Sequence, residues 1–219
     1  MPLILPIDLR NPDPAMLHQA AAVVRRGGVI VYPTETLYGI GADARNAEAV
    51  RRVIRTKRRR DGKPILVIVP TRASVEPLVS HVSLEAGQLM DSFWPGSLTL
   101  VFRAAVGIPE EITQGRGTIG IRIPSSNVCL QLLELAGCPI TSTSANVSGQ
   151  AAARTVGEIF AVLAEEVDLY LDGGELPQSR ASTVVDVSSG IPVVLREGAL
   201  ATSLLREVVP ALRAASESG

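Results

Sequence analysis

The apolar positions of this chain change period several times, and each change marks an element. Over residues 13–26, DPAMLHQAAAVVRR, Leu17, Ala20, Ala21 and Val24 recur at helical spacing behind Asp13 as a cap and Pro14 in the first turn. Gly27-Gly28 stops that helix, and VIVYP, residues 29–33, reads as a strand. A second helix is expected from about 47 to 58, capped by Asn46, with Val50, Val53 and Ile54 as its inward stripe. Pro64 restarts the chain as a strand, ILVIV. Helical segments at 72–80 and 83–92 follow, FWPG ends the second, and SLTLVF and the alternating TIGIRIP read as strands. SSNVCLQLLELAG gives a capped helix stopped by Gly137, and CPITSTSANVSG gives a strand running into a loop. In TVGEIFAVLAEE, Thr155 and Glu158 have capping-box spacing. The last strands are VDLYL, STVVDV and IPVVLR, the final two joined through SSG as in a hairpin.

Helix and strand alternate early while a hairpin comes late, so the expected fold is α/β with helices packed on an open, twisted, mixed sheet. No Pro/Gly-rich linker, low-complexity tract or internal repeat divides residues 1–219, and one domain is expected. The tail ALRAASESG is expected to fray.

Composition narrows the picture. A chain of 219 residues buries roughly 70% of its unfolded surface, so neither disulfide nor metal is needed for stability. With 46% apolar residues but only 3% aromatics, the core must be filled by Val, Ile, Leu and Ala. Cys129 and Cys138 are nine apart with only His18 and His81 to join them, which argues for buried thiols and no metal ligands. The opening MPLILPIDLR lacks the basic start of a signal peptide, and no uncharged apolar run reaches the roughly 20 residues of a spanning helix, so the chain reads as cytoplasmic and free of membrane.

Charge is distributed unevenly. The net charge is -1, yet residues 51–63 hold eight basic groups against Asp61, both lysines of the chain, Lys57 and Lys63, among them. The remainder is net -8, which disfavours general attraction to a polyanion and favours one local positive field. A basic helix end is an ordinary solvated face, but Gly62 and Pro64 force the backbone away just after Lys57 and Arg59, a mobile point charge beside a planar fork.

Three more passages carry chemistry. In YPTETLYGIGAD, Thr34, Glu35 and Thr36 stand directly after an apolar strand, and Gly39 and Gly41 form neither a dinucleotide fingerprint nor a Walker motif. In TSTSANVSG, the hydroxyls and amide, Ser144 and Asn146 included, are either local caps or neutral contacts to phosphate, ribose or base. The third comprises Arg122 in GIRIP, Ser182 and Thr183 in STVVDV, and Arg196 in LREG. Arg122 between apolar neighbours needs a partner, an anion-lined cavity or a solvent face. No Ser/His/Asp arrangement is specified, so binding, charge neutralisation and alignment carry any chemistry.

Taken in order, YPTETLYGIGADA, Lys57-x-Arg59, FWPGSLTLVF, GTIGIRIP, STSANVSG and STVVDV followed by LREG resemble the YrdC-like threonylcarbamoyl-AMP synthases over roughly residues 14–200. The resemblance implies a large, positively lined central cavity in the short, single-domain form. It implies synthesis of threonylcarbamoyl-adenylate and pyrophosphate from L-threonine, bicarbonate and ATP with Mg2+, for N6-threonylcarbamoyladenosine at position 37 of ANN-decoding transfer RNAs. It places Lys57 and Arg59 beside carboxylate or phosphate, Thr34 and Tyr38 around threonine and carbamate, and Ser144 and Asn146 on the adenylate. Arg122, Ser182 and Arg196 fall around the phosphates and the threonine moiety. The implied partners are the transfer machinery that delivers the group to transfer RNA and, through a fold linked to RNA binding, RNA itself. Relatives commonly have Lys-Gly-Arg-Pro where this chain has Lys57-Arg58-Arg59-Arg60, which leaves room for a one-position slip of the phosphate-facing arginine, and Ser97 replaces a proline after FWPG. The competing readings are carbamoyl-adenylate synthesis for another acceptor and a non-enzymatic module for double-stranded RNA.

Overall fold

The computed structural model describes residues 2–59, 62–177 and 180–214. In chain order the elements are β1 Leu3–Pro6, α1 Pro14–Arg25, β2 Ile30–Pro33, β3 Tyr38–Gly41, α2 Ala47–Thr56, β4 Leu66–Ile68, α3 Leu84–Phe93 and β5 Leu98–Arg103. Then come α4 Glu110–Thr113, β6 Thr118–Arg122, α5 Asn127–Ala136, β7 Ile140–Thr141, β8 Thr143–Ser144, α6 Val156–Leu163, β9 Leu169–Asp172, β10 Thr183–Asp186, β11 Val193–Arg196, α7 Thr202–Val208 and β12 Arg213–Ala214.

The caps expected from sequence form. Asp13 accepts from Ala15 N, Asn46 from Glu48 N and Ala49 N, and Ser126 from Cys129 N. Thr155 accepts from Glu158 N, while the Glu158 carboxylate reaches back to Arg154 N, one residue before the cap. The helix expected over 72–80 is instead a single 3-10 turn, Glu76–Leu78, because Pro77 donates no backbone hydrogen bond and the stretch is too short to continue past it.

The strands divide between two mixed sheets, one ordered β1-β9-β2-β3-β8 and the other β12-β11-β10-β5-β6-β4-β7. The reason lies in residues 140–144. Val67 and Ile68 of β4 pair with Thr141 and Ile140, whereas Gly39 and Ile40 of β3 pair with Ser144 and Thr143. This one extended run therefore leaves the larger sheet and enters the smaller across Ser142, and Thr141 seals the crossing: its N–H donates to Ala42 O at 2.9 Å while its hydroxyl accepts from Ala42 N at 3.0 Å.

The smaller sheet is covered on both faces. Ile30, Tyr32, Leu169 and Leu171 pack with α1 and α5, and Val29, Val31, Ile40 and Tyr170 pack with α2 and α6. The larger sheet is covered on one face only. Leu98, Leu100, Phe102, Ile119, Ile121 and Val185 join Leu89, Met90 and Leu205 of α3 and α7 in its core. Residues of opposite parity on the same strands, Thr99, Val101, Thr118, Gly120, Arg122, Val184 and Asp186, line a cavity instead.

Candidate active site

This uncovered face is the floor of a cavity of about 820 Å³, walled on the other side by β3, β8 and the loop that follows β8. Of the residues singled out from sequence, Thr34, Tyr38, Arg59, Arg122, Ser144, Asn146, Ser182 and Arg196 line it.

Lys57 does not. It closes α2 as the cap residue, is buried, and aims its ammonium behind the wall, where it donates to Ser144 O at 2.5 Å, Asn146 O at 2.8 Å and Asn146 Oδ1 at 3.3 Å. The Lys57 carbonyl accepts from Ser148 N at 3.0 Å, so α2 and the 144–148 loop are tied from both ends of this residue. Beyond it, Arg59 N donates to Ile54 O and Arg58 N to Arg55 O, the paired bonds of a Schellman turn. Arg58 sits at its left-handed position with φ 50° and is exposed. This turn sends Arg59 into the lining and Arg58 away from it. Arg60 and Asp61 lie outside the described residues.

Arg59 Nη2 donates to Pro64 O at 3.3 Å and Arg116 Nε to Gly62 O at 2.9 Å, so these two arginines and Lys63 gather around residues 62–64 at one end of the cavity.

At the other end stands Arg122, only 4% exposed. Its Nε donates to Gly96 O at 2.8 Å and its Nη2 is ion-paired with Glu35, whose same oxygen accepts from Ser125 N at 3.2 Å. The need for a partner and the need for a cavity are thus met together. FWPG earns its place here: Gly96 follows the cis Trp94–Pro95 peptide, and a Cβ at 96 would come within 2.5 Å of Phe93 O. Thr34 caps its own turn, its hydroxyl accepting from Thr36 N and Leu37 N and donating to Leu37 O at 2.7 Å.

Tyr38 lines the wall, but its hydroxyl is engaged elsewhere, donating to Gly174 O at 2.7 Å and accepting from Gly173 N at 3.0 Å. Burial pushes its pKa up to about 12, so it is a neutral hydrogen-bonding group at physiological pH.

Ser182 shares a 2.8 Å hydrogen bond with Thr99 and accepts, through its carbonyl, from Arg196 Nη2 at 2.8 Å. Partial removal from water lowers the Arg196 pKa, which still leaves a cation. LREG packs against STVVDV because Gly198 lies where a Cβ would stand 2.1 Å from Ala181 O. Across the cavity, Ser144 Oγ donates to Asn146 Oδ1 at 2.5 Å, and Asn146 Nδ2 donates to Gln150 O at 2.5 Å.

Among the described residues, the lining therefore carries five cations, Arg59, Lys63, Arg116, Arg122 and Arg196, against one carboxylate, Asp186. Arg116, Asp186, Thr99 and Gly120 are absent from the sequence-based set, as is Glu35 as the partner of Arg122. The period-2 alternation of TIGIRIP was the available signal, since Thr118 and Gly120 share a face with Arg122. Among the described residues, no group of three or more His, Cys, Asp or Glu could hold a metal ion. Both cysteines are buried, and burial raises each thiol to about 12. Among the same residues, no helix is long and apolar enough to cross a membrane.

Residues 22–198 match the family model Sua5_yciO_yrdC, described as Telomere recombination. A threonylcarbamoyl-AMP synthase of Pyrococcus abyssi is 34% identical over 194 residues, covering 89% of this chain and 57% of the relative, so the chain spans little more than half of that protein's length. The threonylcarbamoyl-AMP synthase of Thiobacillus denitrificans is 38% identical over 169 residues, 77% of this chain and 89% of the relative. The crystal structure of P. abyssi Sua5 complexed with L-threonine superposes with a TM-score of 0.92 at 32% identity, covering 97% of this chain and 62% of that one.

Proposed function

This chain belongs to the Sua5/YciO/YrdC family, and from that membership and the cavity we propose that it makes L-threonylcarbamoyladenylate from L-threonine, bicarbonate and ATP. The observation that carries the reading is a cavity of about 820 Å³ lined, among the described residues, by five cations and one carboxylate in a chain of net charge -1. A concentrated positive field of this kind suits a triphosphate and a carboxylate that must approach each other.

The reaction has two bond-forming stages. The threonine amine condenses with bicarbonate, releasing water and leaving an N-carboxylate. One oxygen of that carboxylate then forms a bond to the α-phosphorus of ATP as the bond to the β-phosphate oxygen breaks, giving a mixed anhydride and pyrophosphate. The attacking group is already anionic, so no general base is assigned. The burden on the protein is alignment and charge neutralisation.

Arg59, with Lys63 and Arg116 around the same turn, is assigned to the polyphosphate. Arg122, held by Glu35 and Gly96, is assigned with Ser182 and Arg196 to the threonine carboxylate and the neighbouring phosphate. Thr34 and Tyr38 shape the threonine and carbamate region, and Ser144 and Asn146 contact the adenylate. Lys57 acts through the 144–146 backbone that its ammonium holds.

Magnesium would accompany ATP and would supply charge neutralisation to its phosphates. Among the described lining residues, Asp186 is the carboxylate that would help to hold it. The product feeds the transfer machinery of cytoplasmic transfer RNA, with direct RNA contact by the 51–63 run a further part of the proposal.

The test is pyrophosphate release with bicarbonate and either threonine, serine or no amino acid. Threonine-dependent release is expected. Equal release with serine reassigns the acceptor. Folded protein that releases none yet binds duplex RNA in a salt-sensitive manner overturns the enzymatic reading.

A further inference from the structure

Arg122 differs from the other cations of the cavity in its access to water. Lys63, Arg116 and Arg196 are exposed and Arg59 is partly so, and solvent screens their charges. Arg122 is buried, so its charge would act on a ligand with little screening. The counter-charge comes from behind the wall. Glu35 stands in the turn that Thr34 caps and takes no part in the cavity lining. Its Oε1 is ion-paired with Arg122 Nη2 and accepts from Ser125 N at 3.2 Å.

The second oxygen of this carboxylate, Oε2, is buried and accepts no hydrogen bond from the described residues. The Cys129 thiol nearby, pushed up to about 12 by burial and then by the Glu35 charge, stays neutral. A buried carboxylate with one bare oxygen is costly to hold. The bonds that Oε1 accepts could be accepted equally by a neutral amide oxygen, so hydrogen bonding alone does not account for an acid here. Its negative charge does. That charge leaves the donors of Arg122 directed: Nε–H goes to Gly96 O, one N–H of Nη1 to Thr36 Oγ1 at 3.4 Å and one of Nη2 to Glu35. A guanidinium has five N–H groups, and the other two are left for a ligand.

We infer that Glu35 is a specificity-determining residue acting through Arg122: it cancels the guanidinium charge while keeping its N–H geometry, so that this end of the cavity rejects small inorganic anions in favour of a zwitterionic amino acid. This rests on the proposed use of L-threonine. An amino acid carries an ammonium beside its carboxylate, and one extra unit of charge nearby changes its affinity little. Inorganic phosphate has no such compensation. With Glu35 about 6 Å from an anion on Arg122, one charge is worth about a hundredfold in affinity at a partly buried site, and screening from the open side leaves at least about tenfold.

The experiment measures, by calorimetry, the displacement of L-threonine by inorganic phosphate in the parent, Glu35→Gln, Glu35→Met and Glu35→Asp, with a thermal melt of each. Glutamine keeps the acceptor oxygen and loses the charge, methionine loses both at similar length, and aspartate keeps the charge. Phosphate is expected to compete at least about tenfold more tightly in Glu35→Gln, with L-threonine affinity within about threefold of the parent. In Glu35→Asp phosphate is expected to stay within about threefold. Unchanged or weaker phosphate binding in a folded Glu35→Gln overturns the inference and leaves Glu35 a structural tether. So does equal tightening of phosphate and threonine, or tightening in Glu35→Asp as large as in Glu35→Gln. Where Glu35→Gln does not melt cooperatively, Glu35→Met is read in its place, and failure of both to fold makes Glu35 structural. If the parent binds no L-threonine, the proposed reaction fails, and direct phosphate titration still decides: tightening in Glu35→Gln upholds the counter-charge, and none overturns it.

Discussion

Replacing Lys57 by methionine separates two roles that a lysine near phosphate can have. The substitution keeps most of the stem, so lost packing costs less than about 1.5 kcal/mol. It removes the ammonium that donates to Ser144 O, Asn146 O and Asn146 Oδ1. Leaving two carbonyls without that donor costs about 1–3 kcal/mol each, and relief from burying a charge offsets part of it. The net expectation is a destabilisation of about 2–4 kcal/mol, which in a chain of this size lowers the melting temperature by roughly 4–16 °C. ATP affinity falls with it, because the 144–146 wall is no longer held. Differential scanning calorimetry with and without ATP reads both effects. A variant that melts within about 1 °C of the parent yet loses turnover would show that the ammonium touches substrate, and the positioning role would be refuted.

Two other outcomes follow from the same turn and from the buried hydroxyls and thiols. Arg58→Gly removes a left-handed arginine at φ 50° that costs about 1–2 kcal/mol, against a gain in unfolded-state entropy of about 0.4–1 kcal/mol, so the melting temperature should rise by a few degrees with turnover retained; a fall would mean that Arg58 makes a contact worth more than the strain. Tyr38, Tyr170, Cys129 and Cys138 are all pushed up to about 12 by burial, from ordinary values of 10 and 9. The unfolded chain therefore loses these protons first, and stability that is intact below about pH 9 should decline as pH rises toward 12. Urea titrations at pH 8, 9.5 and 10.5 should show a falling midpoint, and a flat or rising one contradicts the burial.

Much of the fold was legible because local rules were obeyed. Asp13, Asn46, Ser126 and Thr155 sit directly before apolar stripes of helical period and cap the helices that follow. The hairpin through SSG forms as β10 and β11 pair antiparallel. Where a local rule was ambiguous, the reading failed: TRASVEPLVS has helical spacing, but Pro77 confines it to one turn. For the candidate site, hydroxyls and cations after strands pointed to the right loops. Their roles were harder to read, since Lys57 faces a backbone wall while Arg59, two residues on, faces the cavity.

Sequence alone determined the capped helices, the strands of clear period, the positive segment and the alternation that gives β5, β6 and β10 one apolar face and one mixed face, because these depend on period and on residues adjacent in the chain. Tertiary structure decided that residues 140–144 join two sheets, that Glu35 neutralises Arg122, and that Arg116 and Asp186 share a cavity with Arg59 and Arg196. Those facts require bringing together groups as much as 137 positions apart, from Arg59 to Arg196, and nothing in the local pattern of either neighbourhood encodes its partner.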